Sequence, residues 1–221
     1  MNIDDFFDEI NEMSDDRKRG RTKLAKDIEK EMVIFFNGVY ADIKNGIFLI
    51  VVPESEYFQK VYSQLISHVR DTSDTAAVAH VRQSAIEIVR TTVDAYLEPD
   101  SNTPLGKARE SGAKVKDSDI PKELIDALSR ERAQKIGANE SLFLNNLYEN
   151  EDAIAEGKKY KRWHTMEDER VRPSHALLDN SRVLIDAPFN TGTALLMFPG
   201  DTGYGAPASE TILCRCWLTY E

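Results

Sequence analysis

With 221 residues and 41% hydrophobic content, the chain can build a substantial core as one generous domain or two small ones. Its net charge of -10 repels polyphosphate unless basic residues are locally concentrated, which disfavours bulk nucleic-acid binding. No apolar run reaches the length that spans a bilayer, and the acidic start Met1-Asn2-Ile3-Asp4-Asp5-Phe6 is unlike a basic secretory leader, so a soluble globular protein made in the cytoplasm is expected.

Residues 21–40 place Leu24, Ile28, Met32, Phe35 or Phe36, and Val39 at three-to-four spacing and predict an amphipathic helix, with Lys26, Asp27, Glu29 and Lys30 on its exposed face. Asn45-Gly46 signals a turn. The β-branched run 47–52, stopped by Pro53, reads as a short strand or as a buried helical continuation. Residues 54–70 return to helical spacing through Tyr57, Val61, Leu65 and Val69. Asp74 is placed to cap a long helix over 75–97, whose Val78, Val81, Ala85, Val89, Val93 and Tyr96 form one stripe.

Residues 98–117 carry Pro, Gly, Ser, Asn, Lys and Glu with almost no apolar side chains, the composition of a linker or mobile loop. Ser118-Asp119-Ile120-Pro121 starts a further helix, which runs to Glu156 and stops at Gly157, with Gly137 a candidate kink. No repeat of solenoid period is present.

Beyond Gly157 the chain is punctuated by Pro173, Pro188, Pro199 and Pro207 and by Gly192, Gly200, Gly203 and Gly205, the pattern of a small β-and-loop module. Its candidate strands are 182–185, 194–198 and 211–220. So small a body buries little apolar area alone, so a staple or a neighbouring helix must help to hold it. The only two cysteines, Cys214 and Cys216, are one residue apart, too close for an unstrained disulfide. They are either inert buried thiols or a pair of ligands.

This module contains Lys161-Arg162-Trp163-His164-Thr165-Met166-Glu167-Asp168-Glu169-Arg170-Val171-Arg172-Pro173-Ser174-His175, then Leu177-Leu178-Asp179, and near the end Cys214-Arg215-Cys216. Together these resemble the phage Mu F-like head morphogenesis family. Its pattern is a tryptophan, Asp-x-x-x-Arg-x-x-His, a Leu-Asp-Gly turn, a variable loop with Pro and Gly, and a terminal Asn-Cys-x-Cys. Trp163, Asp168, Arg172, His175, Asp179, Cys214 and Cys216 occupy those places. Upstream, Arg132-Ala133-Gln134-Lys135-Ile136-Gly137-Ala138-Asn139-Glu140 is similar to the helix that precedes the family's module, so the resemblance covers about residues 131–220. It departs at Asn180, where glycine is usual, and at Leu213, where asparagine is usual. The first change is mild, because Asn tolerates a left-handed backbone, while the second removes an expected local hydrogen bond.

If both cysteines lie on an extended strand, its two-residue period puts their sulfurs on one face, where they suit a soft cation. His175 supplies a third ligand and Asp168 a fourth, with His164 and Asp179 as competitors, giving a tetrahedral site for zinc. The alternative is structural: His175 bonds a carboxylate, Arg172 pairs with Asp168, and both thiols are buried as small apolar groups. A third reading is a Cys thiolate activated by His175, although neither an oxyanion loop nor a base-orienting partner is evident. Trp163 reads as a core anchor. The basic cluster Lys158, Lys159, Lys161, Arg162, Arg170 and Arg172 reads chiefly as helix-end charges and internal ion pairs, with DNA backbone contact as the alternative.

These features predict an α+β protein, with a mainly helical region at 1–157, flexible near 98–117, and a Mu F-like C-terminal module at 158–221. The resemblance implies a minor capsid protein acting in head morphogenesis near the portal, in few copies. Its partners would be portal, capsid or scaffold proteins, and it would pass from the host cytoplasm into the virion. Rival readings are a toxin-like nuclease or transferase using His175, Arg172 and the cysteines, and a prophage-derived adaptor.

Overall fold

A computed structural model describes residues 1–10, 15–48, 55–97 and 102–221. In chain order its elements are α1 (Ile3–Asp8), α2 (Asp15–Lys44), α3 (Glu56–Ile66), α4 (Thr75–Leu97), α5 (Pro104–Ser111), α6 (Lys122–Ala127), α7 (Arg130–Ala155), β1 (Tyr160–His164), α8 (Pro173–Ala176), β2 (Arg182–Leu184), β3 (Phe189–Asn190), β4 (Leu195–Leu196), α9 (Ala208–Thr211) and β5 (Trp217–Tyr220). The fold is α+β as expected, with a helical N-terminal region and a small antiparallel C-terminal module. Among the described residues no helix is long and apolar enough to cross a membrane. The chain divides into two compact units, Met1–Lys26 with Gly137–Glu221, and Asp27–Ile136.

In the unit Asp27–Ile136, hydrophobic periodicity accounts for the helices. Ile28, Met32, Phe35, Phe36 and Val39 of α2 are buried, as are Tyr57, Val61 and Leu65 of α3 and Val81, Ala85, Val89 and Val93 of α4. The caps are specific: Ser55 Oγ accepts from the Phe58 amide at 3.2 Å, and Asp74 Oδ1 accepts from the Ala76 and Ala77 amides at 2.9 and 3.2 Å. Glu29 departs from its predicted exposed face. It is buried and accepts from Arg130 Nε at 2.7 Å, so a pairing unseen in local periodicity decides its position. Arg132 reaches the Ile88 and Ala127 carbonyls and the Thr92 hydroxyl, and its burial draws the guanidinium down to about 10.

One expectation falls largely outside the described residues, and two others change. Residues 49–54 lie outside the described residues and take most of the predicted strand 47–52 with them, while Ile47 and Phe48 belong to no regular element. Within the predicted linker, 98–101 also lie outside, but the remainder contains α5. Thr103 caps this helix by accepting from the Gly106 amide at 3.1 Å, Pro104 occupies its first turn, and Gly112 closes it at φ +66°. Leu105, Ala108 and Val115 are buried and the Val115 amide donates to the Lys44 carbonyl at 3.0 Å, so a few small apolar groups and a backbone tie to the end of α2 suffice to order this stretch. Gly46, at φ +75°, faces Gly112 so closely that a Cβ would strike the Gly112 carbonyl. Third, the helix predicted over 118–156 is interrupted at Leu128–Ser129. Ser129 Oγ accepts from the Arg132 amide at 3.2 Å and starts α7, which then continues through Gly137. Gly157 ends the helical run in the left-handed conformation, φ +78°, as predicted.

The unit Met1–Lys26 with Gly137–Glu221 is built on an antiparallel sheet of order β2-β1-β5, with Lys161 opposite both Val183 and Tyr220 and Trp163 opposite Leu218. Its central strand, β1, is absent from the sequence prediction, whereas β2, β4 and β5 fall within predicted strands. The last of these is shorter than predicted: Thr211 ends α9, and residues 212–216, with Leu213 in a left-handed conformation, belong to no strand. Helices supply the support that so small a module needs. Ile3, Phe6, Phe7 and Ile10 form one apolar cluster with Ala25, Ala138 and Trp217, against which Met166 and Leu213 pack. On α7, Phe143 meets Phe198 edge-on at 5.4 Å, and Asn146 donates to the Pro199 carbonyl at 2.6 Å while accepting from Arg21 at 2.6 Å.

Candidate metal centre

His175 lies on the single turn α8, started by Pro173 at its first position, and is buried beneath Trp163, whose ring stands edge-on to the imidazole at 5.3 Å. The chain reaches Cys214 through Leu213, whose left-handed backbone (φ +51°) reverses direction and whose amide donates to Asn139 Oδ1 at 2.7 Å. Asparagine is at ease in that conformation and leucine is not, by about 1–2 kcal/mol. Here Asn139 provides a side-chain oxygen from α7. Asn180, in the earlier turn, is likewise left-handed at φ +59°, as its replacement of glycine predicts.

The two cysteines precede β5 rather than lying on it, but their alternation is as expected. Both sulfurs turn inward, whereas Arg215 between them grips the Asp168 carboxylate through two hydrogen bonds of 2.6 and 2.8 Å. His175 Nδ1 stands 3.4 Å from Cys214 Sγ and 3.6 Å from Cys216 Sγ, and the three ligand atoms lie within 4.8 Å of one another. Zinc bonds of about 2.3 Å to sulfur and 2.0–2.1 Å to nitrogen at tetrahedral angles set N···S edges of about 3.6 Å. The triangle therefore has the dimensions and the donor chemistry for a soft divalent cation. Trp163 Nε1 is a second indication of fit. It is buried without a hydrogen-bond partner, and it works to lower the Cys216 thiol against the larger opposing effects of Cys214 and burial.

The electrostatics divide the two thiols. Cys214 is held well below the usual thiol range by its hydrogen bond from Cys216, which outweighs burial, with His175 adding to the effect. Cys216 is pushed well above that range by Cys214 and by burial. Burial alone would lower His175, but the Cys214 sulfur and Glu210 outweigh it and raise the imidazole. Glu210, which sequence reasoning did not single out, stands behind the imidazole, its Oε2 3.0 Å from His175 Nε2. No motif spacing marks it.

The other predicted ligands are engaged elsewhere. Asp168 is outside the buried triangle, and Arg215 rather than Arg172 is its partner, while Arg172 donates to the Ile212 carbonyl. His164 Nε2 is 2.8 Å from Thr219 Oγ1 and its ring stacks on Trp217, and Asp179 Oδ1 accepts from the Thr165 amide at 2.8 Å. An open cleft of about 320 Å³ lies alongside His164, Glu167, Asp179 and Trp217, and none of His175, Cys214 and Cys216 lines it. Within the basic cluster, Arg162 pairs with Glu221 at 2.9 Å, Arg170 with Glu9 at 2.6 Å, and Lys161 is buried.

Lys161 yields a pH prediction. Its Nζ meets Met197 Sδ at 3.9 Å and the Phe189 ring at 5.8 Å, and burial draws the amine down to about 8 against the attraction of Asp201 and Asp186. The unfolded value is about 10.4, so between these values the unfolded chain binds more protons and stability attributable to this group rises with pH. Below pH ~8 the cost of charging the buried amine is felt in full. Lys161→Met is expected to stabilise the protein by about 1–2 kcal/mol at pH 7, and the advantage should shrink as pH approaches ~10. Urea unfolding at both pH values checks this, and an advantage independent of pH refutes it.

The fold and this cluster define a mainly helical protein with a small antiparallel module closed around a buried cysteine–histidine triangle. Residues 106–219, just over half of the chain, match the family model described as Phage Mu protein F like protein. The chain belongs to that family, which indicates a phage head morphogenesis protein. The match starts upstream of residue 131, where the motif resemblance began, and takes in most of α5. No curated protein and no solved structure gave a significant match.

Proposed function

We propose that this chain acts as a minor capsid protein of phage head assembly, working near the portal through contacts with portal, capsid or scaffold proteins and passing from the host cytoplasm into the virion. The family match over residues 106–219 carries this reading. In the same reading the His175, Cys214 and Cys216 triangle is a structural zinc site, with the ion supplying the staple that a small module needs. A thiol chemistry reading is favoured by one observation, the Cys214–His175–Glu210 chain of contacts, which supplies the base-orienting partner a nucleophile requires. Against it, Cys214 is 0% exposed, so its sulfur meets no substrate in this conformation.

Deleting the gene from its phage is the direct test. Heads that are absent, misassembled or poorly infectious, with normal DNA replication, support the assembly role. Growth arrest when the protein is expressed alone, relieved by His175→Ala, overturns it in favour of a toxin.

A further inference from the structure

Glu210 is 6% exposed, yet its carboxylate is fully engaged. Oε1 accepts from Thr193 Oγ1 at 2.6 Å, and Oε2 accepts from Ser174 Oγ at 3.0 Å and faces His175 Nε2 at 3.0 Å. One buried side chain thus joins the turn between β3 and β4, the helix α8 and its own helix α9. With hydroxyls donating to both oxygens, the carboxylate is an acceptor toward the imidazole, so Nε2 carries the hydrogen. In the neutral imidazole that metal ligation requires, Nδ1 then keeps its lone pair, and Nδ1 is the atom that faces both sulfurs, at 3.4 and 3.6 Å.

We infer that Glu210 is the positioning residue of the metal centre: it fixes the tautomer and ring orientation through which His175 presents Nδ1, with Cys214 and Cys216, to a soft divalent cation. The inference rests on the zinc reading of that triangle. An acidic group behind a ligating imidazole also strengthens the ligand, and losing such a partner weakens metal binding by about 10–100-fold. The α9 turn is what makes this possible. A strand starting at Thr211, as the sequence predicted, would leave Glu210 without the helical turn that turns its carboxylate into the core.

The test uses the full chain loaded with zinc and, in parallel, with cobalt or cadmium-113. Affinity is read by chelator competition, ligand geometry by the cobalt absorption spectrum, and the tautomer by long-range proton–nitrogen NMR of His175. The wild type is expected to bind one equivalent, with metal on Nδ1 and hydrogen on Nε2. Glu210→Gln should bind about 10–100-fold more weakly with a shifted cobalt spectrum, and Glu210→Asp should recover part of the loss. If Glu210→Gln does not fold, Thr193→Ala, which removes one donor to the same carboxylate from an exposed turn, should still weaken binding several-fold. A wild type that binds metal through Nε2, or variants that bind as tightly as wild type, overturns the role of Glu210 and leaves the zinc site standing. A wild type that binds no metal overturns both.

Discussion

Cys214→Ser is expected to abolish stoichiometric zinc binding and to unfold the C-terminal module, a loss of several kcal/mol out of the ~5–15 kcal/mol that stabilises a typical domain. Two terms act together. A serine hydroxyl is a poor ligand for a soft cation, so the binding energy that closes the module is lost. The new hydroxyl also sits where Cys214 is 0% exposed, facing the imidazole and a sulfur, and a poorly satisfied buried hydroxyl costs a further ~1–3 kcal/mol. Both tryptophans belong to this region, with Trp163 edge-on to His175 and Trp217 directly after Cys216, so their fluorescence and near-ultraviolet dichroism report the site. A chelator added to the wild type should reproduce the variant's signal and lowered melting temperature. A mild effect of Cys214→Ser, with a wild type indifferent to chelators, refutes the zinc reading, and the same contacts then remain as ordinary packing.

What the sequence made legible follows the range of each interaction. The helices α2, α3 and α4 were readable because their apolar spacing is local, and Asp74 sits where a cap belongs. The cysteine pair was readable for the same reason, since a two-residue alternation sends both sulfurs to one side and Arg215 to the other. The strand β1 was hidden because Lys161 occupies an inward position, where its charge breaks the hydrophobic alternation that announces a half-buried strand. The helix α5 was hidden by composition, because Leu105 and Ala108 are too few to announce an apolar stripe and their burial is a product of tertiary packing. Glu210 was illegible for a different reason: its role is set by convergence with Ser174, His175 and Thr193, and no spacing along the chain encodes that meeting.

The start of the chain is the extreme case of this range effect. Ile3, Phe6, Phe7 and Ile10 stand at helical spacing, but their partner Trp217 lies near the other end of the sequence. Phe7→Ala is therefore expected to destabilise the C-terminal module by about 3–5 kcal/mol, although the substitution is remote from it in sequence. Phe7 is 0% exposed and meets Phe6 edge-on at 5.1 Å, so truncation removes a large buried ring and an aromatic contact while leaving a cavity. The same cluster holds Leu213 and Trp217, which bracket Cys214 and Cys216, and Leu213 keeps its unfavourable left-handed backbone only while its side chain packs there and Asn139 holds its amide. Loosening the cluster should therefore also weaken metal binding, with the effects of Phe7→Ala and Cys216→Ser less than additive in a double-mutant cycle. Urea unfolding followed by Trp217 fluorescence measures the first effect, and chelator competition the second. A loss below about 1 kcal/mol would mean that α1 merely rests against the module; strict additivity would mean that it supports the sheet without supporting the site.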